Sequence, residues 1–168
     1  MDNKVDSYRF LSFFTRRMVK AWIEREPVRE VPWTPPRRPL RESTVALVST
    51  AGLALAEDRP FDEEGERRNP WWGDPSYRVI PRDATERDVR VYHLHGDRAD
   101  AEEDLDCVLP LRRLGELERA GEIGSSAPSH YSFMGYILQP DVLLEQSTPA
   151  MIDRMRAEQV DVVLLVPY

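Results

Sequence analysis

The sequence predicts an α/β protein: a doubly wound, mostly parallel sheet with an N-terminal helix and a Pro-rich arm. Three observations lead there. Val162 to Val166 (VVLLV) is a continuous, β-branched-rich run that reads as a strand buried on both faces. Thr44 to Ser49 (TVALVS) reads as a first core strand. Between them helix signals alternate with short strand signals, the order of a parallel sheet.

The elements follow in order. Residues 6–26 form an amphipathic helix, with Tyr8, Leu11, Phe14, Met18 and Trp22 at three- and four-residue spacing. Such a helix covers a sheet or a partner subunit, and Pro27 ends it. Residues 27–41 carry Pro27, Pro32, Pro35, Pro36 and Pro39 beside four arginines, so they lie extended, with Trp33 as anchor. After the first strand comes the small turn Ser49-Thr50-Ala51-Gly52, then a long polar insertion over 55–77. Residues 89–93 (VRVYH) read as a second strand. Pro110 opens a helix over 111–120 that Gly121 closes. A loop or short strand over 123–128 leads into residues 132–136. Thr148 caps a helix with Pro149 at its first position, and the final strand follows. The expected division is 1–42 for helix and arm and 43–168 for the α/β domain, a Rossmann/flavodoxin-like arrangement.

Composition narrows the function classes. The chain has 168 residues, 41% hydrophobic and 32% charged, a composition that suits a globular domain. Its formal net charge of −7 argues against a nucleic-acid or anionic-membrane surface. No run approaches the ~18–20 apolar residues of a membrane span, and the N-terminus has no secretory pattern. Cys107 is the one cysteine, so an intramolecular disulfide and a Cys-based zinc site are excluded and a cytoplasmic location is expected. With no cation within four residues, Cys107 is expected to be a buried, inert thiol.

Three groups of residues carry candidate chemistry. Ser49, Thr50 and Gly52 form a hydroxyl-rich turn whose free N–H groups suit a carboxylate or phosphate, or else a plain β-to-α turn. His93 and His95 share one face of a strand, which fits acid/base work, substrate contact or a structural role; no metal is assigned. Tyr131, Ser132, Met134 and Gly135 lie in a stretch of aromatics and donors that fits a small-ligand pocket or an aromatic core loop. The phosphate-binding glycine patterns of dinucleotide and ATP sites are absent from the sequence.

Eight segments occur together in register: residues 31–35 (VPWTP), 45–53 (VALVSTAGL), 73–81 (GDPSYRVIP), 109–114 (LPLRRL), 121–124 (GEIG), 127–128 (AP), 131–136 (YSFMGY) and 160–167 (VDVVLLVP). In this order they resemble the selenoprotein B component of the glycine, sarcosine, betaine and D-proline reductases. The resemblance implies an oxidoreductase subunit for thiol-dependent reductive C–N cleavage of an amino acid or related amine. It implies reductase-complex subunits and a thiol reductant as partners, and no cofactor held by this chain. Family members place a selenocysteine or cysteine after this strand and its Val-Pro-x, so the nucleophile is expected immediately after Tyr168. The chain is accordingly expected to be truncated there, a UGA codon read as stop being one origin and a genuine terminus the other. His93 or His95 would donate a proton, Ser49, Thr50 and Gly52 would hold a carboxylate, and Tyr131, Ser132, Met134, Gly135 and Tyr168 would shape the pocket. The other class of reading is a non-catalytic ligand-binding or assembly module that ends at Tyr168. The substrate is left open, and so is the oligomeric state, a homo-oligomer among the outcomes.

Overall fold

The computed structural model describes residues 12–24, 34–69, 72–93 and 98–168. Two compact units divide the chain, Met1–Pro35 and Pro36–Tyr168. In the first, α1 (Phe13–Ile23) starts at Ser12, whose Oγ accepts the Thr15 N–H at 3.2 Å. Phe13, Phe14, Met18 and Ile23 are all exposed on it. The expected helix residues 6–11 and 25–26 and residues 27–33 of the arm, its anchor Trp33 among them, lie outside the described residues.

The second unit is a mixed α/β fold around a curled, mostly parallel sheet. Its centre is β1 (Thr44–Ser49), buried from Val45 onward. β5 (Ser125–Ser126) and β6 (Ser129–Phe133) run parallel to β1 along one side. β7 (Val162–Val166) runs parallel along the other, paired at five consecutive residues. β3 (Tyr77–Pro81) closes the far side antiparallel to β6. A separate two-stranded sheet pairs β2 (Leu53–Leu55) with β4 (Val89–Val91).

Period-2 alternation along β1 feeds two layers. Val45 and Leu47 pack in a cluster with Leu111 and Leu114 of α4 (Leu111–Arg119). Val48 packs with Tyr131 and with Met151 and Met155 of α5 (Thr148–Ala157). The remaining helices are α2 (Glu63–Arg68), capped by the Asp62 carboxylate on Gly65 N–H, and α3 (Ala99–Glu103).

Beside β1 the partner strand slips. From Val45 to Val48 β1 advances three residues while its partner advances five, from Ser126 to Tyr131. The insertion holds Pro128, which has no N–H to give. His130 fills the resulting gap from its side chain. Its Nδ1 accepts the Leu47 N–H at 3.0 Å, so Nε2 carries the proton and faces Ser126 Oγ at 3.2 Å. The ring is fully buried, and burial, with the Arg82 cation adding to it, pushes its pKa down to about 4.

Several sequence expectations are corrected. β7 is not buried on both faces: β1 is its only strand partner among the described residues, and Val163, Leu164 and Leu165 are exposed. Residues 89–91 do not run parallel to β1; they pair antiparallel with β2, because residues 53–55, which run up to the start of the expected insertion, are themselves a strand. Thr148 is not a cap: it is already helical, after a π turn over Leu143–Ser147, and Ser147 Oγ bonds the Pro75 carbonyl at 2.6 Å. Cys107 is exposed, because the 3-10 turn Leu105–Cys107 spends its inward positions on Leu105, Val108 and Leu109.

The exposed edge gives a direct test. Leu165 is 70% exposed, so Leu165→Ser is expected to change stability by no more than about 0.5 kcal/mol. It should also lower concentration-dependent association, read by light scattering. A loss of 2 kcal/mol or more would mean the face is covered.

Candidate functional site

The carboxyl ends of β1, β6 and β7 converge at the turn after β1. Gly52 makes that turn with φ +62°, a backbone state that costs an L side chain. A Cβ there would also overlap Met134 Sδ and reach 3.4 Å from the His93 backbone nitrogen. Gly135 sits as close on the other side. A Cβ on it would lie 2.9 Å from His93 Nε2 and 3.1 Å from the Thr50 carbonyl oxygen. His93, only 5% exposed, is therefore walled by two glycine backbones. Tyr168 closes the cluster, its ring edge-on to the His93 ring at 5.3 Å and 82°.

The hydrogen bonds explain why the strand ends hold together here. Thr50 N–H donates to the Val166 carbonyl (3.2 Å) and Gly52 N–H to that of Phe133 (3.0 Å). Ala51 N–H donates to Ser49 Oγ at 3.1 Å, and Leu53 N–H to Ser132 Oγ at 2.9 Å. Gly135 N–H donates to the Thr50 carbonyl (2.8 Å) and Tyr92 N–H to the Gly52 carbonyl (2.9 Å), which brings β4 and His93 onto the turn. The four N–H groups from Thr50 to Leu53 are thus engaged within the fold. The free donors expected for an anion are not available at this turn: the Val166 and Phe133 carbonyls take those of Thr50 and Gly52, and the Ser49 and Ser132 hydroxyls take those of Ala51 and Leu53.

The sequence-predicted residues separate into two sets. Thr50, Gly52, His93, Met134, Gly135 and Tyr168 come together. Ser49 and Ser132 are adjacent but fully buried, Ser132 Oγ donating to the Ser49 carbonyl at 3.1 Å. Tyr131 points into the α5 layer. Its hydroxyl lies 3.5 Å from Glu158 Oε2, and burial, reinforced by that carboxylate, pushes its pKa up to about 12. His95 lies outside the described residues.

Two working residues were not assigned a role in the sequence, although His130 opens the donor-rich stretch over 130–136. His130 is the side-chain strap of the sheet, and Glu158 gathers Ser129 Oγ (2.8 Å), Arg154 Nε (3.2 Å) and the Tyr131 hydroxyl. Pro128, two residues before His130, is the sequence mark of the slip; nothing local marks Glu158. Among the described residues no group of three or more His, Cys, Asp or Glu is arranged to hold a metal ion. None of their helices is long and apolar enough to cross a membrane.

Residues 20–167 match the family described as glycine/sarcosine/betaine reductase selenoprotein B. The D-proline reductase subunit gamma of Acetoanaerobium sticklandii is 35% identical over 133 residues, covering 79% of this chain and 52% of the relative. The chain thus spans about half the length of that relative. No solved structure matches the chain significantly. On the extent of the family match, the chain belongs to the glycine/sarcosine/betaine reductase selenoprotein B family.

Proposed function

We propose that this chain is the subunit of a reductase complex that carries out reductive C–N cleavage of an amino acid or related amine. Glycine, sarcosine, betaine and D-proline are the candidate substrates, with a dithiol as electron source. The reactive selenocysteine or cysteine stands immediately after Tyr168 and supplies the nucleophile when present. This chain itself holds no cofactor. The observation that supports the reading is the convergence of His93, Gly52, Met134, Gly135 and Tyr168 at the carboxyl ends of parallel strands. Open α/β sheets bind their ligands in that position.

The chain's own residues then divide the work. Gly52 and Gly135 let the backbone close on Met134, His93 and Thr50, and Met134 gives the apolar wall. His93 delivers the proton that the departing amine needs. As the C–N bond breaks, the nucleophile's bond to carbon forms, and two electrons from the dithiol later free it. The substrate carboxylate is held by groups other than the Ser49 to Gly52 N–H donors, which are engaged. The Rossmann/flavodoxin-like arrangement, a cytoplasmic setting, and an N-terminal region over 1–42 that docks on partner subunits belong to the same proposal.

The test compares the 168-residue chain with a form that continues through cysteine or selenocysteine after Tyr168. Each is assayed with the partner subunits and dithiol for C–N cleavage, read as amine release from glycine, sarcosine and betaine and as ring opening of D-proline. Cleavage is expected only with the extended form, and His93→Ala in that form should lower kcat about 10²–10⁴-fold. No cleavage of any of the four would leave the non-catalytic module as the better reading.

A further inference from the structure

Thr50 uses its backbone and its side chain on different strand ends. In a parallel ladder the bond after Thr50 N–H to Val166 would run from the Tyr168 N–H to the Thr50 carbonyl. That carbonyl is turned instead to Gly135 N–H, at 2.8 Å. The Thr50 hydroxyl takes over. Its Oγ1 accepts the Tyr168 N–H at 2.8 Å and donates to the Tyr168 main-chain oxygen at 3.3 Å. One hydroxyl therefore satisfies both main-chain groups of residue 168. It does so from a position that lifts the residue off the sheet edge and sets its ring against His93, at 5.3 Å.

We propose that Thr50 is a positioning residue: its hydroxyl fixes the peptide after β7 so that residue 168, and the group that follows it, face His93. This departs from a carboxylate-binding role for that hydroxyl, whose donor and acceptor capacity Tyr168 already uses. The catalytic consequence rests on the reductase reading; the latch itself does not. Valine keeps the β-branched shape of threonine and removes the hydroxyl, whereas serine keeps the hydroxyl and removes a methyl group.

The experiment uses the whole chain as Thr50→Val and Thr50→Ser. Hydrogen exchange of the Tyr168 amide and the His93 ring-proton resonances, both by NMR, report the latch directly. Thr50→Val is expected to speed that exchange about tenfold and to remove the ring-current displacement of the His93 signals. Thr50→Ser should keep both near the parent values. Unchanged exchange and unchanged His93 signals in Thr50→Val overturn the proposal. In the extended form, Thr50→Val should lower kcat about tenfold with KM within twofold and move the pH midpoint of thiol alkylation, with Thr50→Ser restoring both. Parent kcat and parent pH midpoint in Thr50→Val also overturn it. If the extended form cleaves none of the four substrates, the reductase reading fails, and the exchange and resonance measurements still decide the role of Thr50.

Discussion

Replacing His130 with leucine is expected to cost about 2–4 kcal/mol of folding stability, among the largest effects of any single substitution in this chain. Leucine fills much of the space and offers no acceptor, so the Leu47 N–H would be left unsatisfied in a dry interior. Asparagine, whose side-chain oxygen can accept that N–H, should recover part of the loss. The same ring makes stability depend on acid. In the folded chain its pKa is about 4, against about 6.5 when unfolded. The unfolded state therefore binds the proton first as pH falls. The stabilisation is fully present above pH 6.5 and is lost progressively down to about pH 4, a change of roughly 3 kcal/mol. Urea titrations at pH 7.5, 6, 5 and 4.5 read it directly. His130→Asn should flatten the decline; an equally steep decline in that variant would assign it to other groups.

Gly52→Ala is expected to cost about 2–4 kcal/mol. The left-handed backbone at φ +62° contributes about 1–2 kcal/mol of that. Overlap with Met134, itself buried in a cluster with Ala54 and Phe61, contributes the rest. Gly135→Ala differs in kind. Its backbone is not in the left-handed region, and its new methyl group meets His93 Nε2 and the Thr50 carbonyl. A smaller stability loss is expected, about 1–2 kcal/mol, together with a displaced His93 ring. Thermal unfolding and the His93 NMR signals separate the two outcomes. Equal stability losses, with His93 undisturbed in both variants, would show that the ring does not pack against Gly135.

The parts of the fold that hydrophobic pattern controls were legible. β1 spans Thr44–Ser49, the residues its apolar run marks, and α4 begins at Leu111 just after Pro110. β7 likewise covers Val162–Val166, although its run of five apolar residues misled as to burial: pattern cannot show how many neighbours a strand has. β6 was harder. Its sequence, Ser129 to Phe133, is half polar, and Ser129, His130 and Ser132 are buried because hydrogen bonds, not hydrophobicity, satisfy them. Turn chemistry showed where backbones meet at Gly52, yet the supposedly free N–H groups vanish once strands from residues 133 and 166 arrive. Such long-range partners leave no local trace. The antiparallel pairing of β2 with β4 was hidden for the same reason, since three-residue strands carry too little pattern to declare themselves.

The pairing of β1 with β7 also sets a timetable for synthesis. Thr44 waits for Asp161, 117 residues later, and for Ser125, 81 residues later. At about 5–20 residues per second, the β7 edge of β1 stays unpaired for roughly 6–23 s after β1 is made. Meanwhile this buried strand lacks those neighbours, while α1, α2 and the β2–β4 pair draw on contacts closer at hand. The rate of translation and the supply of holding chaperones therefore bear on yield more than the net stability of the finished fold does. Slower growth temperatures should help only as far as they slow aggregation of that waiting strand more than they slow the arrival of its partners.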